Sequence, residues 1–241
     1  MLFTAFEIEA YMLFNELPLE PKLLQAIAEK GYTNATPIQE KAIPPILEQR
    51  DLIGLAQTGT GKTAAFAIPI LELLHAKKPL DGGIQALIVT PTRELAIQIA
   101  DNFKAYGKHL GLRSLVIFGG VKAHAQIQTL KQKPAILIAT PGRLLDLHQQ
   151  GFVNLKQLSI FVLDEADRML DMGFLRDIKK ILAALPKQRQ NLLFSATFST
   201  EIKALANDLL NSPSLIEVAR SNSTNEAITQ LMHPVDRGNK H

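Results

Sequence analysis

Cysteine is absent from the 241 residues of this chain. The protein therefore has no disulfide, no thiolate ligand for zinc and no thiol nucleophile. A chain without cysteine suits a reducing compartment, and we expect a cytoplasmic protein. No apolar run approaches the roughly 20 residues that a membrane-spanning helix needs. Glu7 and Glu9 lie where an export signal would carry positive charge, so we expect neither secretion nor a membrane anchor.

Neither sign of charge dominates, since 26 lysines and arginines stand against 23 aspartates and glutamates. The net charge of +3 permits a polyanionic partner without requiring one. Hydrophobic residues make up 46% of the sequence and charged residues 20%, which is typical of a globular protein with a full core. The length predicts one large domain or two small ones. We expect a monomer.

One stretch, AQTGTGKT from Ala56 to Thr63, organises the rest of the chain. It follows a short apolar run and opens into a segment with apolar residues at helical spacing, which is the order of a phosphate-binding loop. Its glycines let the backbone curl around an anion, its lysine can reach the outer phosphates, and its last threonine can ligate Mg²⁺. The residues expected to bind the phosphates are Ala56, Gln57, Thr58, Gly59, Thr60, Gly61, Lys62 and Thr63.

The loop departs from the general pattern at Ala56, where a glycine is usual. The alternative interpretation is a glycine-rich turn that carries Lys62 and Thr63 by coincidence. The predicted strand before the loop and the predicted helix after it favour phosphate binding, and in that interpretation Lys62 is also a catalytic residue.

Beyond the loop, short apolar runs alternate with segments of helical periodicity. This pattern predicts an α/β fold, in which helices cover both faces of a parallel sheet and the ligand lies at the carboxyl ends of the strands. The predicted strands after the loop are Ala86–Val89, Leu115–Phe118, Ile136–Ala139, Ile160–Leu163, Leu192–Phe194 and Leu215–Val218. Apart from the helix after the loop, the predicted helices are Leu19–Lys30, Pro37–Gln49, Glu94–His109, Lys122–Lys131, Gly142–Gln149, Phe174–Leu185 and Thr200–Leu210.

A second polar motif, Asp164-Glu165-Ala166-Asp167, follows the apolar run Phe161–Leu163. An aspartate at the end of such a strand can hold Mg²⁺ through its water shell, so we expect Asp164 to share the metal with the loop threonine. Glu165 is then the candidate to orient or deprotonate the attacking water. An isolated Asp-Glu pair is more often a solvated turn. Downstream of a phosphate loop, however, the pair indicates a nucleotide triphosphatase.

The letters D-E-A-D name the DEAD-box RNA helicases, and the chain resembles the first RecA-like domain of that family from about Phe14 to Val218. The other motifs of that domain stand in the family's order. They are GYTNATPIQ at 31–39 for the Q motif, PTRELA at 91–96 for motif Ia, Gly119-Gly120 for the GG element, TPGR at 140–143 for motif Ib and SAT at 195–197 for motif III. Within the family, DEADRMLDMGF and NLLFSATFS resemble the bacterial RhlE-like subgroup.

The resemblance implies that the chain binds ATP with Mg²⁺. Its Q motif contains Thr36 and Gln39, and the Gln39 amide can accept from adenine N6 and donate to N7, a pairing that guanine does not satisfy. Without the surrounding motif, Gln39 would more often be a surface glutamine. Phe14 or Tyr32 can stack on the base, although either can equally belong to the core. Ala35 replaces the proline that is usual in this motif.

The resemblance also implies a track for the RNA backbone. Threonine hydroxyls, arginines and N–H groups at helix starts bind phosphate but carry no base information, so binding should ignore sequence and weaken with salt. The alternatives are ordinary turns for the glycines and a surface salt bridge for Arg143. By the same resemblance, Asp167, Ser195 and Thr197 couple the ATP site to RNA. The residues assigned to RNA are Pro91, Thr92, Arg93, Gly119, Gly120, Thr140, Pro141, Gly142 and Arg143.

The expected domain organisation has three parts. Residues 1–11 are an extension or tag, residues 12–219 form the RecA-like domain with its Q motif at 12–40, and residues 220–241 form a linker and the truncated start of a second RecA-like domain. By the resemblance, that second domain supplies arginine fingers, which contribute about 10³–10⁵ in rate in related phosphoryl-transfer enzymes. We therefore expect this chain to hold half of a catalytic site.

The leading hypothesis is the nucleotide-binding half of an ATP-dependent RNA helicase. One alternative is a module that binds ATP and RNA without useful turnover. Another is a different P-loop ATPase, such as a DNA helicase, against which the motif around Gln39 argues.

Overall fold

The computed structural model of the chain describes residues 12–77 and 83–218. The strands in these residues are β1 Leu52–Leu55, β2 Ala86–Val89, β3 Ser114–Ile117, β4 Ile136–Ala139, β5 Ile160–Leu163, β6 Gln190–Ser195 and β7 Ser214–Glu217. They form one parallel sheet in the order β3-β4-β2-β5-β6-β1-β7. The expected extension at 1–11 and the expected linker at 220–241 lie outside the described residues.

Helices connect the strands, as a parallel sheet requires. In the described part of the chain they are α1 Pro21–Glu29, α2 Pro37–Leu47, α3 Lys62–Ala76, α4 Arg93–Tyr106, α5 Ala123–Leu130, α6 Pro141–Gln149, α7 Ala166–Asp171, α8 Leu175–Ala184 and α9 Thr200–Leu209, with a 3₁₀ turn at Phe14–Glu16. Across residues 12–77 and 83–218, no helix combines the length and the apolar character needed to cross a membrane.

The core has one layer on each face of the sheet, because neighbouring strand residues point to opposite faces. Along β5, Ile160 and Val162 belong to one hydrophobic cluster, whereas Phe161 and Leu163 belong to the other. Helices α1 to α4 cover the first face and helices α6 to α9 cover the second. The predicted α/β fold, a parallel sheet with helices on both faces, is confirmed.

Most predicted bounds differ from the observed ones by one to three residues, and two differences have a physical reason in the structure. Helix α7 was not predicted, because it is only six residues long and its polar side chains obscure the helical spacing of Ala166 and Met169. Strand β6 begins at Gln190, before the predicted start at Leu192. Gln190 is polar but buried, since its amide nitrogen donates to the backbone oxygen of Arg50 at 2.8 Å.

The carboxyl ends of the parallel strands lie at one edge of the sheet. The loops after β1, β6 and β5 are neighbours on one half of that edge, and the loops after β2, β4 and β3 are neighbours on the other half. The first half carries the phosphate loop, the SAT motif and the DEAD motif. The second half carries PTRELA, TPGR and the paired glycines. The fold therefore places the phosphate loop and the DEAD motif on one half of the edge and the loops that carry the residues assigned to RNA on the other half.

Candidate functional site

A cleft of about 350 Å³ opens at the carboxyl ends of β1 and β5. Its walls come from the phosphate loop, the start of α2, the DEAD motif and one face of α4. Of the residues predicted to bind nucleotide or metal, those that line it are Tyr32, Gln39, Thr58, Gly59, Gly61, Lys62, Thr63, Asp164 and Glu165. The structure therefore brings the two central motifs, which are 100 residues apart in sequence, into one concave surface.

The phosphate loop adopts the conformation that its two glycines permit. Gly59 and Gly61 have φ values of +88° and +96°, which residues with a Cβ rarely adopt. Gly61 immediately precedes Lys62, the first residue of α3, so the positive end of the helix dipole faces the cleft. Ala56 is buried beneath the loop, and the Thr60 hydroxyl donates to the Gln57 carbonyl at 2.7 Å.

Lys62 is 7% exposed, and its Nζ donates to the carbonyl oxygen of Ala56 at 2.7 Å. The cation therefore rests against a neutral acceptor of its own loop. A phosphate oxygen in the cleft would offer an anionic acceptor, and hydrogen bonds between charged groups are about twice as strong as neutral ones.

Gln39 connects the start of α2 to the phosphate loop. Its Oε1 accepts from the backbone N–H of Thr36 at 2.9 Å, and its Nε2 donates to the carbonyl oxygen of Gly61 at 3.2 Å. Because an amide oxygen has two lone pairs and an amide nitrogen two hydrogens, each atom keeps one position for a ligand. The buried Thr36 hydroxyl has no partner among the described residues. The bridge to the phosphate loop was not predicted, because Gly61 lies 22 residues after Gln39 in the chain and no local pattern joins them.

The two candidate stacking residues have different surroundings. Phe14 is 4% exposed and belongs to the core on the α1 to α4 face, so the core alternative describes it and its side chain does not line the cleft. Tyr32 is 46% exposed and lines the cleft. Behind it lies Tyr106. The pKa of the Tyr106 hydroxyl is raised, mainly because the group is buried and to a smaller extent because the Tyr32 phenol is close to it. Of the two aromatic residues considered, Tyr32 is therefore the one available to a base.

One wall of the cleft was missed by the sequence analysis. It consists of α4 residues, which are Leu95, Gln98, Ile99, Asn102 and Tyr106. These positions recur at intervals of three and four, so they share one face of the helix. The spacing was visible in the sequence. It could not predict a cleft wall, because periodicity does not distinguish a helix face that lines a cleft from one that packs in the core.

Asp164 leaves β5 at the bottom of the cleft and is 4% exposed. Burial raises the pKa of its carboxyl to about 6, the Lys62 cation opposes that increase, and the neighbouring Glu165 carboxylate adds to it. The Asp164 Oδ1 atom is buried and has no hydrogen-bond partner among the described residues. A buried carboxylate oxygen without a donor is an unfavourable arrangement that a cation would relieve.

The donor set around Asp164 fits Mg²⁺ that arrives together with phosphate. Within residues 12–77 and 83–218, no group of three or more His, Cys, Asp or Glu side chains could hold a metal by itself. Mg²⁺ is commonly bound by one or two protein ligands and completed by phosphate oxygens and water. The Asp164 carboxylate and the Thr63 hydroxyl, which line the same cleft, match that requirement.

Glu165 joins the DEAD motif to the phosphate loop. Its backbone is left-handed, with φ 52° and ψ 50°, and the side chain is largely buried. Oε1 accepts from the Thr58 hydroxyl at 3.4 Å, and Oε2 lies 3.4 Å from Nη1 of Arg168. Arg168 was not predicted as a site residue. Its position three residues after Glu165 on a helical turn was the available signal.

Asp167 contacts the end of β6, close to Ser195 and Thr197. The contact is made through the backbone, since Oδ2 of Asp167 accepts from the N–H of Ala196 at 3.1 Å. The buried Ser195 hydroxyl instead accepts from the N–H of Thr197 at 3.3 Å. The Ser195 carbonyl accepts from the N–H of Ala56 at 3.1 Å. The end of β6 therefore contacts both the DEAD motif and the phosphate loop.

The other half of the sheet edge holds the residues assigned to RNA. Thr92 caps α4, where its hydroxyl accepts from the N–H of Leu95 at 3.3 Å. The exposed Arg93 has its guanidinium 4.8 Å from the centre of the Phe118 ring. Thr140 precedes α6 and its side chain does not cap the helix. Of the remaining residues, the exposed ones are Gly119, Gly120 and Gly142, and the buried ones are Pro91 and Pro141.

Arg143 supports the loop after β3. Its side chain is 11% exposed, Nη2 donates to the carbonyl oxygen of Val121 at 2.8 Å, and Nε lies 3.6 Å from Oδ2 of Asp146. The salt bridge considered as an alternative is therefore present. In this structure the Arg143 guanidinium binds the Val121 carbonyl and the Asp146 carboxylate, and little of the side chain is exposed to solvent.

Comparisons with known proteins agree with this arrangement. A family model described as DEAD/DEAH box helicase matches residues 36–205. The chain is 47% identical over 223 residues to the DEAD-box ATP-dependent RNA helicase RhpA of Helicobacter pylori, covering 92% of the chain and 44% of the relative. It is 48% identical over 229 residues to the ATP-dependent rRNA helicase RRP3 of Debaryomyces hansenii, covering 94% of the chain and 47% of the relative.

A solved structure shows a similar fold. The crystal structure of a DEAD box protein from Methanococcus jannaschii matches with a TM-score of 0.81 and 46% identity, over 86% of this chain and 56% of that one. The chain thus spans less than half the length of these two curated relatives. The region that matches the family model contains both the phosphate loop and the DEAD motif.

Proposed function

Because the chain belongs to the DEAD/DEAH box helicase family, we propose that it is the ATP-binding half of an ATP-dependent RNA helicase. One observation carries the proposal. The cleft brings Lys62, Asp164 and Glu165 together, which supplies a cation for phosphate, a carboxylate for a metal and a carboxylate for water. Proteins with this type of fold have many different functions, so the function is inferred from the residues of the site.

In this proposal, ATP occupies the cleft with Mg²⁺, which supplies positive charge to the phosphoryl oxygens. Thr63 and Asp164 are the residues that hold the metal. Lys62 leaves the Ala56 carbonyl and donates to a phosphate, while the N–H groups at the start of α3 bind phosphate oxygens.

Glu165 is the residue proposed to orient and deprotonate the attacking water. Its carboxylate lies beside Asp164, but the two differ in partners. Glu165 contacts Thr58 and Arg168, whereas Asp164 Oδ1 has no partner among the described residues. A positioned general base contributes roughly 10²–10⁴ in rate. We assign adenine selection to Gln39, through the acceptor and donor positions that its bonds to Thr36 and Gly61 leave free.

We assign RNA binding to the half of the edge formed by the loops after β2, β4 and β3. Gly119 and Gly142 support this assignment, because a Cβ atom built on either residue meets no heavy atom within 4 Å. Nothing in the described protein therefore requires these positions to lack a side chain. Close approach of an external backbone explains the glycines, and contacts to a nucleic-acid backbone are independent of sequence.

The cleft is half of a catalytic site in this proposal. No arginine is among the residues that line it within the described ranges, and Lys62 is the cation there. This observation also favours the second candidate, a module that binds ATP and RNA without useful turnover. We propose that a second RecA-like domain completes the site. A monomer in the cytoplasm, and membership of the RhlE-like subgroup, remain predictions.

ATP hydrolysis tests the proposal when the chain is joined to a second RecA-like domain. We expect single-stranded RNA to stimulate hydrolysis and single-stranded DNA of the same sequence to do so much less. The chain alone should hydrolyse ATP near the background rate. Equal stimulation by RNA and DNA would favour a different P-loop ATPase, and rapid turnover by the chain alone would remove the half-site argument.

A further inference from the structure

Strand β3 ends at the outer edge of the sheet, where backbone groups need a partner other than a strand. The carbonyl oxygen of Ile117 points inward and accepts from the N–H of Thr140 at 3.1 Å. Because successive residues of a strand direct their backbone groups to opposite sides, the N–H and C=O of Phe118 point outward. With β3 last in the sheet order, no strand of the described residues lies on that side.

Gln126 of α5 takes the place of the missing strand. Its Oε1 accepts from the Phe118 N–H at 3.2 Å, and its Nε2 donates to the Phe118 carbonyl at 3.1 Å. Gln126 is 9% exposed, and both bonds are partly buried. A primary amide carries the same donor and acceptor pair as a backbone residue. Neither a carboxylate nor an aliphatic side chain could make both contacts.

The segment that follows, residues 119–121, is held at its two ends and free between them. At one end Gln126 and the Arg93 guanidinium contact Phe118, and at the other end Arg143 binds the carbonyl of Val121. Among the described residues, no protein acceptor meets the N–H groups of residues 119–121. Consecutive free N–H groups on an exposed turn form a surface suited to an anion.

We infer that Gln126 is a positioning residue for RNA, which holds the 118–121 loop in the conformation that presents its free N–H groups to the phosphates. This inference rests on the proposed function, because it assumes that RNA binds along this half of the edge. Gln126 itself does not touch RNA. Its effect reaches RNA through Phe118, since releasing that residue lets the loop move and binding must then order it again.

The test compares Gln126→Leu with the matched control Gln128→Leu, a change at an exposed position of the same helix. For each variant of the full chain, the affinity for a labelled single-stranded oligouridylate is measured at low salt, alongside the affinity for ADP. Amide hydrogen exchange at residues 118–121 is followed in parallel. We expect Gln126→Leu to weaken RNA binding roughly tenfold, the equivalent of ordering one backbone residue again.

The same variant should speed exchange at 118–121 and leave the ADP affinity unchanged, whereas Gln128→Leu should alter none of these. A general loss of stability would lower both affinities together. Gln126→Met keeps a side chain of similar length and no charge but makes neither hydrogen bond, so it should give a similar loss, and it replaces the leucine variant if that one does not fold. If Gln126→Leu bound RNA as tightly as the unmodified chain while amide exchange in the loop became faster, the inference about Gln126 would be wrong and the proposed function would stand. Absence of RNA binding by the unmodified chain would overturn the RNA half of the proposed function, and the inference with it.

Discussion

Replacing Gly61 by alanine tests the contact between the start of α2 and the phosphate loop. Gly61 has a φ of +96°, and a Cβ atom built on it would lie 2.4 Å from Gln39 Nε2 and 2.9 Å from the Thr36 hydroxyl. The new methyl group would therefore push the Gln39 amide out of its place. Both hydrogen bonds of that amide, to Thr36 N–H and to the Gly61 carbonyl, would be lost.

The expected cost has two parts. A residue with a Cβ in left-handed backbone costs about 1–2 kcal/mol. Each of the two displaced hydrogen bonds contributes about 0.5–1.5 kcal/mol. Gly61→Ala should therefore lower the free energy of unfolding by about 3 kcal/mol in total. For a protein of this size that corresponds to a fall in Tm of roughly 6–12 °C.

Gly59→Ala is the matched control, because it separates the cost of the left-handed backbone from the cost of the lost hydrogen bonds. Gly59 has a similar φ of +88°, but a Cβ atom built there meets no atom of the described residues within 4 Å. Gly59→Ala should therefore lose only the backbone part, about 1–2 kcal/mol. Urea denaturation of the two variants and of the unmodified chain gives both free energies.

The difference between the two variants measures the contact itself, and we expect about 2 kcal/mol. Titration with ADP should show a further effect, since Gly61→Ala displaces the residue assigned to adenine and Gly59→Ala does not. Equal destabilisation by the two substitutions would refute the reasoning. It would mean that the Gln39 bridge contributes nothing to the stability of the loop.

Three further predictions concern the charged residues of the cleft. Lys62→Ala should lose most of the affinity for ADP in a titration while the melting temperature stays close to that of the unmodified chain, and a preserved affinity would remove its assigned role. Glu165→Gln, with a second RecA-like domain attached, should lower ATP hydrolysis roughly 10²–10⁴-fold and retain ATP binding; an unchanged rate would exclude Glu165 as the base. Burial raises the pKa of Asp164 to about 6 from an ordinary value of 3.8, so folding costs progressively more as pH rises from about 4 to about 6. Asp164→Asn should therefore stabilise the ligand-free chain at pH 7 and make its free energy of unfolding less dependent on pH between 4 and 6. Urea denaturation of the variant and of the unmodified chain at pH 4 and pH 7 measures this, and an equal change with pH in both proteins would contradict it.

The fold could be predicted from the sequence because its signals are local. Apolar runs such as Ile160–Leu163 are buried on both faces, and only a covered parallel sheet offers that environment to a whole strand. The predicted and observed bounds agree for β2, β4 and β5. The start of β6 was missed because the polar Gln190 is buried by a long-range contact, and its partner Arg50 is 140 residues away in the chain.

The site was predictable in its residues and less so in its contacts. The phosphate loop and the DEAD motif are recognisable because each needs particular residue types at fixed spacing. Three contacts depend on how separate elements pack, and no local pattern encodes them. They are the bond from Gln39 to the Gly61 carbonyl, the contact of Arg168 with Glu165 and the two bonds from Gln126 to the Phe118 backbone.

The central claim is that the cleft between the phosphate loop and the DEAD motif binds an adenine nucleotide with Mg²⁺. It is tested most directly by titrating the chain with ADP and with GDP, each with Mg²⁺ and with EDTA. We predict that ADP binds more tightly than GDP and that Mg²⁺ strengthens its binding in the unmodified chain. In Asp164→Asn the strengthening by Mg²⁺ should be much reduced. Equal affinities for ADP and GDP, or a full effect of Mg²⁺ in Asp164→Asn, would contradict the roles given to Gln39 and Asp164.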